Sequence, residues 1–95
     1  MKELRKTSQF KKDFKRFSKD AAKVETLYNI VKKLVEGMPI PQEYKPHALK
    51  GEWKNFMECH VGDDYLLIWF DKDENVIELV RLGSHSELFG KRKKR

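Results

Sequence analysis

The longest apolar run in the chain, Leu66-Leu67-Ile68-Trp69-Phe70, limits the possible folds more than any other segment. Five consecutive apolar side chains cannot be split between a core face and a water face at a period of two. A strand from Tyr65 to Asp71 must therefore be buried on both sides, inside a sheet. The run is far short of the ~20 apolar residues that span a bilayer. Its flanks supply the neighbours. Trp53 to His60 reads as a strand, Gly62-Asp63 and Lys72 to Asn75 as turns, and Val76 to Leu82 as a further strand, together an antiparallel meander.

Upstream the period lengthens. Glu3 to Thr7 predicts a short first strand, and Thr7 or Ser8 an N-cap before Phe10, Phe14 and Phe17, one apolar helical stripe. Asp20 can cap a second helix with apolar Val24, Leu27, Tyr28, Val31, Leu34 and Val35, ended by Gly37 ahead of Pro39. The expected fold is α+β: two N-terminal helices on one face of a small antiparallel sheet, in the order β-α-α-β-β-β, with the other face open. Ninety-five residues, 39% of them apolar, suffice for one domain, placed at residues 1–90, with 91–95 as a basic tail. A single cysteine, Cys59, excludes an internal disulfide framework and a zinc knuckle. The N-terminus lacks the apolar stretch of a secretory signal, so a soluble protein of the cytoplasm is expected.

The net charge of +6 is unevenly placed. Residues 1–20 carry eight bases against three acids, residues 91–95 carry five bases, and residues 21–90 carry eight bases against twelve acids. Lys11, Lys12, Lys15 and Arg16 share the helix face opposite the phenylalanines. A focused patch of this kind attracts a polyanion by phosphate contact and counterion release; the plainer reading is a solubilising surface.

Strand alternation places Lys54, Phe56, Glu58 and His60 on one side of the sheet and Trp53, Asn55, Met57 and Cys59 on the other. The polar set, with Arg81 from the last strand, is assigned to the open face. His47, His60, Asp64, Arg81 and His85 all fall at strand ends or loops. Singly, each has an ordinary structural role: a surface histidine, a turn-capping aspartate, an arginine paired with Glu58. Together they suit metal-independent RNA cleavage, which needs a base for the ribose 2′-hydroxyl, a cation for the charge growing on phosphate, and an acid for the leaving 5′-oxygen. Imidazoles serve either proton role, arginine matches phosphate geometry, and Phe89 offers a ring on which a base can stack. A three-histidine metal site ranks low because the spacing matches no recurrent ligand pattern.

Three segments carry a resemblance: His47-Ala48-Leu49-Lys50-Gly51-Glu52-Trp53-Lys54, Glu58-Cys59-His60-Val61, and Arg81-Leu82-Gly83-Ser84-His85-Ser86-Glu87-Leu88-Phe89-Gly90. In this order they resemble the YafQ branch of the RelE/ParE toxin superfamily, and the Phe10, Lys12 and Asp13 pattern extends the likeness into the first helix. The resemblance implies a type II toxin–antitoxin toxin, a ribosome-dependent endoribonuclease that cuts mRNA in the A site without metal or cofactor. It implies His85 as general acid, Arg81 as the stabilising cation, His60 or His47 assisted by Asp64 as base, and Phe89 as the residue positioning the nucleotide. Lys54, Lys11, Lys12, Lys15 and Arg16 are the expected RNA contacts. The implied partners are the ribosome, mRNA and an acidic, wrapping DinJ/RelB-like antitoxin, with operator DNA met only through that antitoxin and no membrane. Tyr65 stands where the family often has tryptophan. The alternative is a noncatalytic RNA- or DNA-binding or antitoxin-binding module with the same basic surface.

Overall fold

Short polar side chains decide where the helices begin. In the computed structural model, which describes residues 1–62, 64–73 and 75–89, Thr7 Oγ1 accepts from the Phe10 amide at 2.9 Å and opens α1 (Ser8–Phe17). Asp20 Oδ1 accepts from the Lys23 amide at 3.2 Å and opens α2 (Ala21–Glu36). Each cap satisfies an amide that no helical carbonyl can reach. At the far end Gly37 adopts a left-handed φ of 74°, which costs glycine least, and closes α2.

One five-stranded sheet holds β1 (Glu3–Lys6), β2 (His47–Ala48), β3 (Phe56–His60), β4 (Tyr65–Asp73) and β5 (Val76–Ser84) in the order β1-β5-β4-β3-β2. The apolar run puts β4 at the centre, with Leu66, Leu67 and Ile68 fully buried. The β2–β3–β4–β5 ladder is antiparallel, whereas β1 joins the far edge of β5 in parallel. Phe10, Phe17, Leu27, Ile30 and Leu34 of the helices pack on Cys59, Leu67, Trp69, Ile77, Leu79 and Leu82 of the sheet. Removing such side chains from water supplies about 1.5–3 kcal/mol each, so this interface carries most of the fold's driving force. No helix among the described residues is long and apolar enough to cross a membrane.

Three expectations change in detail. The second face of the sheet is not bare: Leu66, Ile68 and Leu88 form a second small core with Leu49, Trp53, Phe56, Val80 and Phe89 packed around it. The two-sided burial of β4 requires such a cover, and the short helix α3 (His85–Phe89) and a 3-10 turn at Gly51–Trp53 supply it. Next, β3 begins at Phe56 and not at Trp53, because Asn55 has a φ of 81° and breaks the strand. Trp53 accordingly joins the second core, on the side opposite to the one alternation assigns it, while Met57 and Cys59 keep their expected side. Finally, Arg81 pairs opposite Ile68 and Leu79 opposite Trp69, so β5 carries one extra residue at Val80. That bulge resets the alternation: Ile77, Leu79 and Leu82 all face the helices although the last spacing is three. The expected turn from Lys72 is shortened because β4 runs on to Asp73, and its Glu74, with Asp63, Gly90 and the tail 91–95, lies outside the described residues.

Candidate active site

Ser84 and Glu87 hold the site's helix in place. Ser84 Oγ accepts from the Glu87 amide at 3.2 Å and Glu87 Oε1 accepts from the Ser84 amide at 2.9 Å, a reciprocal cap that starts α3 at His85. Gly83 allows α3 to press on β5, since a Cβ there would lie 2.8 Å from Glu87 Oε1 and 3.2 Å from Leu88. His85 thus stands exposed at the helix start, directly beyond β5.

Strand register then brings His60 to it. His60 pairs with Leu66 and Leu66 with Gly83, forming one cross-strand row, and the His60 and His85 rings meet edge to face with centroids 6.4 Å apart. Asp64 Oδ1 accepts from His85 Nδ1 at 3.3 Å. The bond joins Asp64 to His85, the expected acid, where the expectation had paired it with the base. With Nδ1 committed, His85 Nε2 has no partner among the described residues. Phe89 lies beside His85 with ring centroids 6.1 Å apart and is held from behind by Trp53 at 5.7 Å. A second row runs Glu58–Ile68–Arg81, so the arginine lies on the same face two residues from the histidine row.

His47 belongs to the Arg81 row, which runs His47–Glu58–Ile68–Arg81, and it sits on the edge strand beside β3, opposite Glu58 and two residues along from His60. Its Nε2 lies 2.9 Å from Glu58 Oε1 and its Nδ1 lies 2.8 Å from the Lys45 carbonyl. Both ring nitrogens are occupied. Glu58 itself is buried, and its Oε2 has no partner among the described residues.

Arg81 does not pair with Glu58. β1 covers only the first half of the β5 edge, and past it α1 takes over: buried Asp13 Oδ2 accepts from the Leu82 amide at 3.0 Å and from Arg81 Nε at 2.9 Å, while Oδ1 accepts from Arg81 Nη2 at 3.3 Å. Burial alone would push the Asp13 carboxyl up. The hydrogen bonds from Arg81, Leu82 and Gln9 and the Arg81 charge outweigh burial and hold it below its ordinary value. Arg16 sits between Asp13 at 3.6 Å and Glu87 at 3.7 Å, linking α1 to α3. Lys11, Lys12 and Lys15 are exposed on α1, and Lys54 is exposed after the Gly51–Trp53 turn.

Sequence reasoning left Asp13 and Glu87 without roles and gave Glu58 to Arg81 instead of His47. Two signals were present. Asp13 is three residues from Phe10 and four from Phe17, an acid inside the apolar stripe, and Ser84-x-x-Glu87 is the spacing of a reciprocal cap.

A histidine pair, an arginine and a stacking ring at the end of a small α+β sheet fit a known class of protein, the bacterial toxins of type II toxin–antitoxin systems. Within that class the chain belongs to the YafQ family, whose model matches residues 2–90. It is 31% identical over 90 residues to the mRNA interferase toxin YafQ of Escherichia coli K12, covering 94% of this chain and 97% of that protein. The Escherichia coli DinJ-YafQ toxin–antitoxin complex contains a chain that superposes with a TM-score of 0.82 at 30% identity, covering 94% of this chain and 98% of that one. A metal-bound toxin from Helicobacter pylori superposes with a TM-score of 0.85 at 42% identity, covering 94% of this chain and all of that one. Among the described residues here, no three His, Cys, Asp or Glu side chains are placed to hold an ion together.

Proposed function

We propose that the chain is an mRNA interferase, an endoribonuclease acting on mRNA in the ribosomal A site, with residues 1–90 as the toxin domain working in the cytoplasm. The observation that carries this reading is the His60–His85 ring pair, 6.4 Å between centroids, with Asp64 behind His85. Rings in edge-to-face contact can both reach a single phosphodiester laid across them.

His60 takes the proton from the 2′-hydroxyl. The 2′-oxygen attacks phosphorus, the P–O5′ bond breaks, and His85 Nε2 gives its proton to the departing 5′-oxygen. The products are a 2′,3′-cyclic phosphate and a 5′-hydroxyl, so atoms and protons balance. Arg81 faces the charge that builds on the nonbridging oxygens, and Phe89 stacks on a base to hold the ribose in line. His47, with both nitrogens occupied at the sheet edge, anchors β2, which leaves His60 as the base. Lys11, Lys12 and Lys15 grip ribosomal RNA phosphates, assisted by Lys54 and Arg16. An acidic wrapping antitoxin of the DinJ type neutralises the same surface, and operator DNA is met only through it.

The test is mRNA cleavage on programmed ribosomes by wild type, His60→Ala and His85→Ala, with folding checked by circular dichroism. Loss of cleavage in both variants while ribosome binding persists supports the reading. Cleavage at wild-type rate by His85→Ala refutes it and favours a noncatalytic RNA-binding module.

A further inference from the structure

The arrangement around Arg81 assigns a task to an aspartate outside the reacting groups. We propose that Asp13 is a positioning residue for the phosphate-facing arginine: from α1 it fixes the Nε/Nη2 edge of the Arg81 guanidinium and so aims the adjoining Nη1/Nη2 end at the scissile phosphate. The inference rests on the nuclease reading above.

A guanidinium has five N–H donors in a planar fork. Asp13 engages Arg81 Nε and Nη2, at 2.9 and 3.3 Å, which are the donors on one edge. Among the described residues no further hydrogen bond takes the two Nη1 protons or the second Nη2 proton, and one Nη1 proton with that Nη2 proton forms the end-on fork that matches two phosphate oxygens. The aspartate is itself immobile. Its side chain is 0% exposed, and the Leu82 amide, part of the β5 backbone, bonds the same oxygen that receives Arg81 Nε. Guanidinium, carboxylate and strand edge therefore form one rigid unit. Arg16 extends that unit, lying within ion-pair distance of both Asp13 and Glu87, and Glu87 caps the helix that starts at His85. Cation and acid are thus referenced to one frame. A freely rotating arginine on an exposed strand end would pay its ordering entropy at every turnover.

A stabilising ion pair alone would produce the same contacts, so the test must separate stability from positioning. Asp13→Asn keeps the shape and removes the charge. On programmed ribosomes it is expected to lower kcat about 100-fold, the scale of a misplaced catalytic group, with KM changed less than about twofold. In an Arg81→Ala background the same substitution is expected to cost less than about threefold, because the group it positions is gone. An equal loss in both backgrounds assigns Asp13 a structural role and overturns the inference, as does an unchanged kcat. Wild-type cleavage by Arg81→Ala itself overturns the nuclease reading, a distinguishable failure. Should Asp13→Asn not fold, hydrogen exchange of the wild-type Arg81 Nε–H decides: protection of about tenfold or more over a free arginine is expected, and an unprotected proton refutes the fork.

Discussion

His47 and His85 each lie beside a carboxylate, yet the two pairs are built in opposite ways. Glu58 is buried and holds His47 Nε2 at 2.9 Å while the Lys45 carbonyl holds Nδ1, so this imidazole is saturated at the sheet edge. Asp64 is exposed and holds only Nδ1 of His85, at 3.3 Å. The first pair uses histidine as a hydrogen-bonding strut between β2 and β3. The second leaves one nitrogen facing solvent beside another imidazole. Residue type and a carboxylate neighbour are common to both pairs; what differs is that one ring nitrogen of His85 has no partner among the described residues.

The contrast is broken most directly by paired substitutions. His85→Ala is expected to lower single-turnover mRNA cleavage about 1,000-fold, the usual scale of a general acid, while His47→Ala lowers it less than tenfold per folded molecule. Comparable losses in both would return His47 to the reacting set. Charge removal on α1 should act on binding instead. Neutralising Lys11, Lys12 and Lys15 is expected to reduce the slope of log affinity for ribosomes against log salt by about 2, with cleavage at saturation kept. Arg16 is left out because its ion pairs with Asp13 and Glu87 make it part of the frame around the site.

Stability separates the pairs in the other direction. His47→Ala leaves the buried Glu58 carboxylate without its hydrogen bond and is expected to cost about 1–3 kcal/mol in urea unfolding, whereas His85→Ala, at an exposed pair, costs under about 1 kcal/mol. The pH limbs report on two further groups. Asp13 sits below its ordinary 3.8 when folded, so its contribution is complete above that value and is lost as pH falls through the depressed one. Denaturation at pH 7, 4 and 3 should show this loss in wild type and not in Asp13→Asn. Burial pushes the Cys59 thiol up from 9.0 to about 12, so the native state keeps a proton that the unfolded chain releases. Its contribution is whole below pH 9.0 and declines as pH rises toward about 12, a slope that Cys59→Ala should remove.

Much of the fold was legible because the relevant signals are local. Thr7, Asp20 and Gly37 act within one turn of themselves, and the Leu66–Phe70 run can only be a central strand. Of the candidate site, His60, Asp64, His85 and Phe89 lie together at one sheet end, with His47 and Arg81 in the next cross-strand row. The difference between His47 and His60 was not legible, since strand register sets Glu58 against one and the His85 ring beside the other.

The sequence by itself determined the element order, the helix caps, the burial of β4 and the family likeness, because period, capping and spacing are properties of neighbours along the chain. Only the tertiary structure decided that Asp13 would hold Arg81 from sixty-eight positions away, that Asp64 would face His85, and that a bulge at Val80 would turn the last strand. Those outcomes depend on register and on where α1 crosses the open half of the β5 edge. A one-residue shift would reverse them without altering any local preference.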